Sequence, residues 1–335
     1  MKEKFITGIK FIIFLSIGVF LLWLAYRNYD MNELWIGLKS ANFYWIALSM
    51  LVSLGSHWMR AVRWNLLIEP LGYKPKKLNT FCAVMIMYLA NFAIPRMGEV
   101  TRCGVMKQYE KVPFTQLLGT VLIERSVDML VLIFLFIIVL LTQFWVIVKF
   151  LKNNPAIIAN LDKLKFSGFV ALIAGVIFII LVIVFWKKLK ATKMYQKIEA
   201  TVNNFVAGIK TVFTMQRKIS FLINTFAIWF LYFLNLYICF QAFGATQNLP
   251  VLAGLAGIVI GSFGMVAPVQ GGIGAWHIMI IQTLVVYGIV SKDGAVFAAV
   301  VHGSMMVLLV IGGFISLLIL PVYNRSSKSE IVLSK

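Results

Sequence analysis

The sequence predicts an all-α, polytopic transmembrane bundle organised around two hydrophobic helices broken by proline and glycine. Three observations carry this reading. Hydrophobic residues make up 61% of 335 and charged residues 13%, against about 25% charged in soluble domains. Several apolar stretches have the length that crosses a bilayer. Two others are interrupted: Asn91-Phe92-Ala93-Ile94-Pro95-Arg96-Met97-Gly98-Glu99-Val100-Thr101-Arg102, and Met265-Val266-Ala267-Pro268-Val269-Gln270-Gly271-Gly272-Ile273-Gly274-Ala275-Trp276-His277. In each, an apolar run meets proline, then glycine, then polar residues. Proline lacks an N–H and disfavours helix at the residue before it, so the backbone breaks there. Broken segments at matching places in two halves of a membrane protein point to a transport site.

The elements follow in order. The basic residues 1–10 lead into an apolar run, 9–26. No small-residue cleavage site follows, and Tyr26-Arg27 suit an interface, so this is a retained first helix. Residues 43–59 form the second span; Trp58, Arg60, Arg63 and Trp64 at its end fit the headgroup level. After a basic loop with Lys74, Lys76 and Lys77 comes 81–94, whose 14 residues reach about 21 Å of a roughly 30 Å hydrocarbon core. A segment this short is expected to be re-entrant. Residues 117–141 and 168–186 span fully. Residues 187–218, rich in lysine with apolar residues at helical spacing, read as a basic amphipathic surface helix. Residues 221–243 span, 249–267 and 276–290 flank the second break, and 295–320 is the last span.

Charge sets the topology. The net charge is +19, and basic residues collect in cytoplasmic loops; no aromatic-basic recognition module accompanies it, which argues against nucleic acid. With the N-terminus inside and 81–94 dipping in and turning back, residues 187–218 and the basic tail also fall inside, at the cost of a weakly basic outer loop, 149–165. The 335 residues then form one membrane domain. Within it, 43–142 and 220–320 form two repeats of inverted topology whose breaks meet near the midplane. Bulk at Gly272 is then expected to do more damage than bulk at Gly254, taken as a plain helical position.

Glu124, Arg125 and Asp128 lie inside an apolar span, with Glu124 and Asp128 on one face. Intramembrane charges face the bundle interior or a wet cavity. With Arg96, Glu99 and Arg102 they balance, three against three. One reading is a buried ion-pair network. The other is an anion site, with Arg96, Arg102 and Arg125 as donors to a phosphate and the acids fixing them. The N–H groups of Gly271, Gly272 and Gly274 add an anion-binding nest. Gln270 and His277 border these glycines and complete the substrate-binding set. Hydrogen bonding between helices is the competing role for Gln270, Asn91, Asn235, His277 and His302. Cys82, Cys103 and Cys239 form no spaced pair, so neither a metal site nor a disulfide framework is expected. The glycine-rich break lacks nucleotide-binding spacing. No Ser-His-Asp order and no cofactor motif appears, so an enzyme working alone is not expected.

At Pro95-Arg96-Met97-Gly98-Glu99-Val100-Thr101-Arg102, Glu124-Arg125-Ser126-Val127-Asp128 and Pro268 with Gly271-Gly272-Ile273-Gly274, the chain resembles the lysylphosphatidylglycerol synthase/flippase transmembrane region family. The family often has proline where Gln270 stands and glutamate where His277 stands. The resemblance implies a flippase-like protein; with the charge topology, which puts both termini in the cytoplasm, the expectation is a protein of the bacterial inner membrane that binds and translocates an anionic lipid: a phospholipid or a polyprenyl-phosphate-linked lipid. The alternative is a non-transporting subunit that recruits or regulates a lipid-modifying enzyme or glycosyltransferase. The family's full-length synthase adds a soluble transferase domain after the membrane part; this sequence ends about 15 residues past its last span, so a translocator without that domain is expected.

Overall fold

The computed structural model describes residues 2–94, 97–152, 212 and 214–325. The expected span 168–186, nearly all of the expected surface helix 187–218, and Pro95 and Arg96 lie outside them. The described residues are helical, with no strand among them: α1 (Lys2–Tyr26), α2 (Met31–Lys39), α3 (Phe43–Ile68), α4 (Lys77–Ala93), α5 (Met97–Glu110), α6 (Phe114–Lys152), α7 (Lys218–Phe240), α8 (Val251–Val266), α9 (Ala275–Val286) and α10 (Ser291–Tyr323). Three stretches are long and apolar enough to cross a membrane: Phe114–Phe144, Lys218–Phe240 and Ser291–Tyr323. A fourth crossing arises if α1 and α2, bent by 87°, count as one broken span.

Both breaks make antiparallel helical hairpins. At the first, Ile94 is extended (φ −142°, ψ 122°), as a residue before proline should be. The Asn91 side chain accepts from the Gly98 N–H at 2.8 Å, which caps the start of α5 where helical donors lack partners. Gly98 lies against the Met87 carbonyl, so α5 folds straight back along α4. The far end closes on itself: Glu110 Oε1 accepts from the Lys76 N–H at 3.0 Å and the Asn79 amide at 2.6 Å. At the second break Gly264 and Gly261 sit against Trp276, and Gly257 lies between Leu236 and Ile280. The Tyr287 hydroxyl donates to the Leu252 carbonyl at 3.4 Å. The turn needs left-handed backbone at Gly271, Gly272 and Gly274 (φ +56°, +78°, +78°), which glycine adopts without a Cβ penalty.

Helix α10 ties the hairpins together. At one end Asn324 and Asn79 exchange amide hydrogen bonds, each 2.9 Å. Further along, Gly312 and Gly313 receive Met85 and Leu89 of α4. Near the middle of this 33-residue helix, Met306 and Phe92 both press on Gly271, and His302 Nε2 lies 3.0 Å from the Gly271 carbonyl. At the other end Ala295 O accepts from Tyr26 Oη at 3.0 Å, and Gly294 packs on Ile281. The two hairpins therefore approach α10 from opposite ends, and their tips meet half-way along it. Cysteines placed at Phe92 and Met306 are expected to crosslink with a short bifunctional reagent. Separate, non-touching tips would leave them unlinked.

Three boundaries differ from the sequence expectation. Helix α3 continues past Met59 to Ile68, because its arginines find buried partners rather than headgroups. Helix α4 begins at Lys77 and has 17 residues, about 26 Å at the helical rise; it is longer than expected, though still under the hydrocarbon thickness. Helix α6 runs on to Lys152. Gly254 is also not a plain helical position: a Cβ there would lie 3.0 Å from Phe233 and 3.2 Å from Tyr237.

Candidate functional site

A cluster of arginines and carboxylates fills the space between α3, α5 and α6. Helix α6 presents Glu124 and Asp128 one turn apart. Helix α3 presents Arg60 and Arg63, and α5 presents Arg102. Arg63 grips Asp128 with two hydrogen bonds, 2.7 and 3.0 Å, the paired geometry that suits guanidinium and carboxylate. Arg60 lies 3.4 Å from Asp128 and 3.6 Å from Glu124. Glu124 also has Arg63 at 3.3 Å and Arg102 at 3.0 Å. Arg63, Arg102 and Glu124 are fully buried. Arg102 lies over Trp64, its Cζ 4.4 Å from the ring centre, and the indole N–H donates to the Thr120 hydroxyl at 2.8 Å.

The cluster is not balanced. Arg60, Arg63, Arg102 and Arg125 face Glu99, Glu124 and Asp128, so one positive charge is in surplus among the described residues. Arg102 carries it most directly. Its ion contact with Glu124 lacks the alignment of a hydrogen bond, and none of its three guanidinium nitrogens has a hydrogen-bond partner among the described residues. Buried donors of that kind are costly to leave unpaired. Arg125 and Glu99 form a separate pair, 2.9 Å apart, at the exposed rim; their side chains are 41% and 25% exposed.

Of the residues singled out from the sequence, Arg102, Glu124 and Asp128 come together at the buried centre, Arg125 and Glu99 stand beside it, and Arg96 lies outside the described residues. Gln270, Gly271, Gly272, Gly274 and His277 belong to the second break, in a different core, where α1, α9 and α10 pack. Two of the three N–H groups expected to hold an anion are already spent: Gly272 donates to the Val269 carbonyl at 3.4 Å and Gly274 to His277 Nδ1 at 3.2 Å. A nest at these two positions is thus corrected by internal hydrogen bonding. His277 stands in the first turn of α9 and accepts from the residue preceding that helix, as a glutamate does in a capping box. Asn235 donates to the Ser49 carbonyl at 2.6 Å, joining α7 to α3.

Arg60 and Arg63 are the members that sequence reading assigned elsewhere. The signal for them is the polar stripe Ser49, Ser53, Ser56, His57, Arg60 and Arg63 on α3, all buried. At spacings of three and four it marks a face turned inward, not an interfacial end.

Three helices long and apolar enough to cross a membrane, with a cluster of buried paired charges among the helices, define the chain as a multi-pass integral membrane protein with a polar interior. Residues 9–313 match the family described as Lysylphosphatidylglycerol synthase TM region, and the chain belongs to that family. It is also similar to Glycosyltransferase AglD of Haloferax volcanii, 21% identical over 329 residues that cover 90% of this chain and 53% of that protein. The chain thus spans about half the length of this curated relative. No solved structure matches it significantly.

Proposed function

We propose that the protein is a flippase-like carrier that binds the phosphate of an anionic lipid, a phospholipid or a polyprenyl-phosphate-linked lipid, and moves it across the cytoplasmic membrane. The surplus buried arginine charge is the observation that supports this most. A purely structural network gains by neutrality, and each uncompensated buried charge costs several kcal/mol; a phosphate at Arg102, reached past the Arg125–Glu99 rim, removes that cost.

The hairpins support a re-entrant, inverted arrangement. Their tips meet near the middle of the longest apolar candidate span, and non-helical backbone at that depth survives only against protein or water. Lys74, Lys76, Lys77, Lys111, Arg217 and Arg325 outnumber Glu69 and Glu110 at the end where the α4–α5 hairpin closes. Arg27, Lys39 and Lys292 at the other end are offset by Asp30, Glu33 and Asp293. The basic end is therefore cytoplasmic, with both termini on that side. Cysteines at Lys76 and Lys107 are expected to label from the cytoplasmic side alone; labelling from opposite sides sinks the re-entrant arrangement.

The direct test is reorientation of a fluorescent anionic phospholipid in proteoliposomes that contain only this protein. Arg102→Ala leaves Arg60 and Arg63 on Glu124, so it is expected to fold and to lose lipid movement at least tenfold. Movement unchanged in that variant rejects the anion site. A second reading rests on the relative named a glycosyltransferase, of which this chain matches half: a membrane subunit that presents a lipid to such an enzyme. It is favoured if the purified protein binds lipid but moves none.

A further inference from the structure

We propose that His57 is a proton-binding site coupled to the arginine cluster, so that an anionic lipid enters together with a proton. This rests on the anion-site reading and adds the ion that accompanies the lipid.

His57 is buried on the polar stripe of α3. Its Nε2 is 3.4 Å from the Ser53 hydroxyl, a long contact, and its Nδ1 has no hydrogen-bond partner among the described residues. A histidine kept only to join helices satisfies its nitrogens; this one leaves a ring nitrogen open. Beyond Ser53 lies a cavity of about 10 Å³ lined by Ser49, Ser53, Asn235 and Ser304. That is room for roughly one water, which suits a proton and excludes a headgroup.

On the other side the groups lead to the cluster. From α4, the Tyr88 ring lies 4.6 Å from the imidazole. Tyr88 lies beside Tyr232 of α7. Arg60, one turn along α3, stands 6.0 Å from the Tyr232 ring and 3.4 Å from Asp128 of α6, with Glu124 one turn further along α6. Val301, Ser304, Met305 and Leu308 of α10 line the cavity and add no titratable group.

The coupling is electrostatic. Burial first, and then Arg60 on the same face of α3, oppose a positive charge on the ring. A phosphate held by the arginines offsets the part due to Arg60, so lipid favours the proton. By reciprocity the proton favours the lipid to the same extent.

Calorimetric titration with short-chain phosphatidylglycerol, in two buffers of different ionisation heat, reads the proton directly. The wild type is expected to take up protons on binding and to gain up to about tenfold in affinity per pH unit of acidification. His57→Gln retains a group able to hydrogen-bond Ser53; it is expected to bind lipid with no buffer-dependent heat and a flat pH profile. His57→Asn gives the same reading if the glutamine variant does not purify as a single species. Wild-type binding without proton uptake, or uptake that persists in the variants, overturns the proton site and leaves the anion site standing. Failure of the wild type to bind any anionic lipid overturns both.

Discussion

Arg63→Ala is expected to lower stability by about 3–5 kcal/mol, the cost of leaving a buried charge without its partner. Arg63 is fully buried and makes both short hydrogen bonds to Asp128. It also lies 3.3 Å from Glu124 and 3.3 Å from the Thr225 hydroxyl. Its loss leaves two carboxylates to share Arg60 and Arg102, neither of which is placed to grip Asp128 with two bonds. Arg125→Ala is the contrast. A sequence reading that puts Arg125 in a dry network expects the same loss. Its side chain is 41% exposed, however, and such pairs contribute about 0–1 kcal/mol. Denaturant unfolding of both variants in detergent separates the cases. Equal losses would show that burial does not rank these charges, and the cluster would lose its division into centre and rim.

The second large effect is expected at Gly98. A side chain there meets the Met87 carbonyl and comes within 2.7 Å of the Asn91 oxygen that caps α5. The obstruction is backbone, which cannot swing aside. Gly98→Val is therefore expected to cost about 2–4 kcal/mol, combining overpacking with loss of the cap. Gly104 lies on the same helix with nothing within 4 Å of a Cβ. Gly104→Ala is expected to stabilise by up to about 1 kcal/mol, since alanine is the better helix former. If Gly98→Val unfolds at the same denaturant concentration as the wild type, the two helices do not pack back to back.

Local chemistry made the breaks legible. Proline restricts the backbone before it and glycine permits a turn, and hairpins form between α4 and α5 and between α8 and α9. Glu124 and Asp128 were legible because carboxylates inside an apolar helix have few other uses. Arg60 and Arg63 were not. Arginine beside tryptophan near a helix end describes an interfacial anchor as well as a buried donor, and the carboxylate that decides the matter, Asp128, lies 68 residues from Arg60 and 65 from Arg63. The start of α4 is hidden for a related reason: Glu110 accepts from the Lys76 N–H and the Asn79 amide, and Asn324 pairs with Asn79, both far along the chain. The glycines of the second break were read as free donors because a sequence does not reveal that Val269 and His277 already use them.

The reciprocal amide bonds between Asn79 and Asn324 have a consequence for biosynthesis. These partners are separated by 245 residues, so at about 5–20 residues per second of translation the first hairpin exists for roughly 10–50 seconds before its partner emerges. In that interval the Asn79 amide and the surfaces of Met85 and Leu89 have no α10 to cover them. The first hairpin is therefore a late-maturing element despite its early place in the chain. Ribosome-arrested chains that stop short of α10 should leave a cysteine at Met85 open to thiol reagents, and completing the chain should close it.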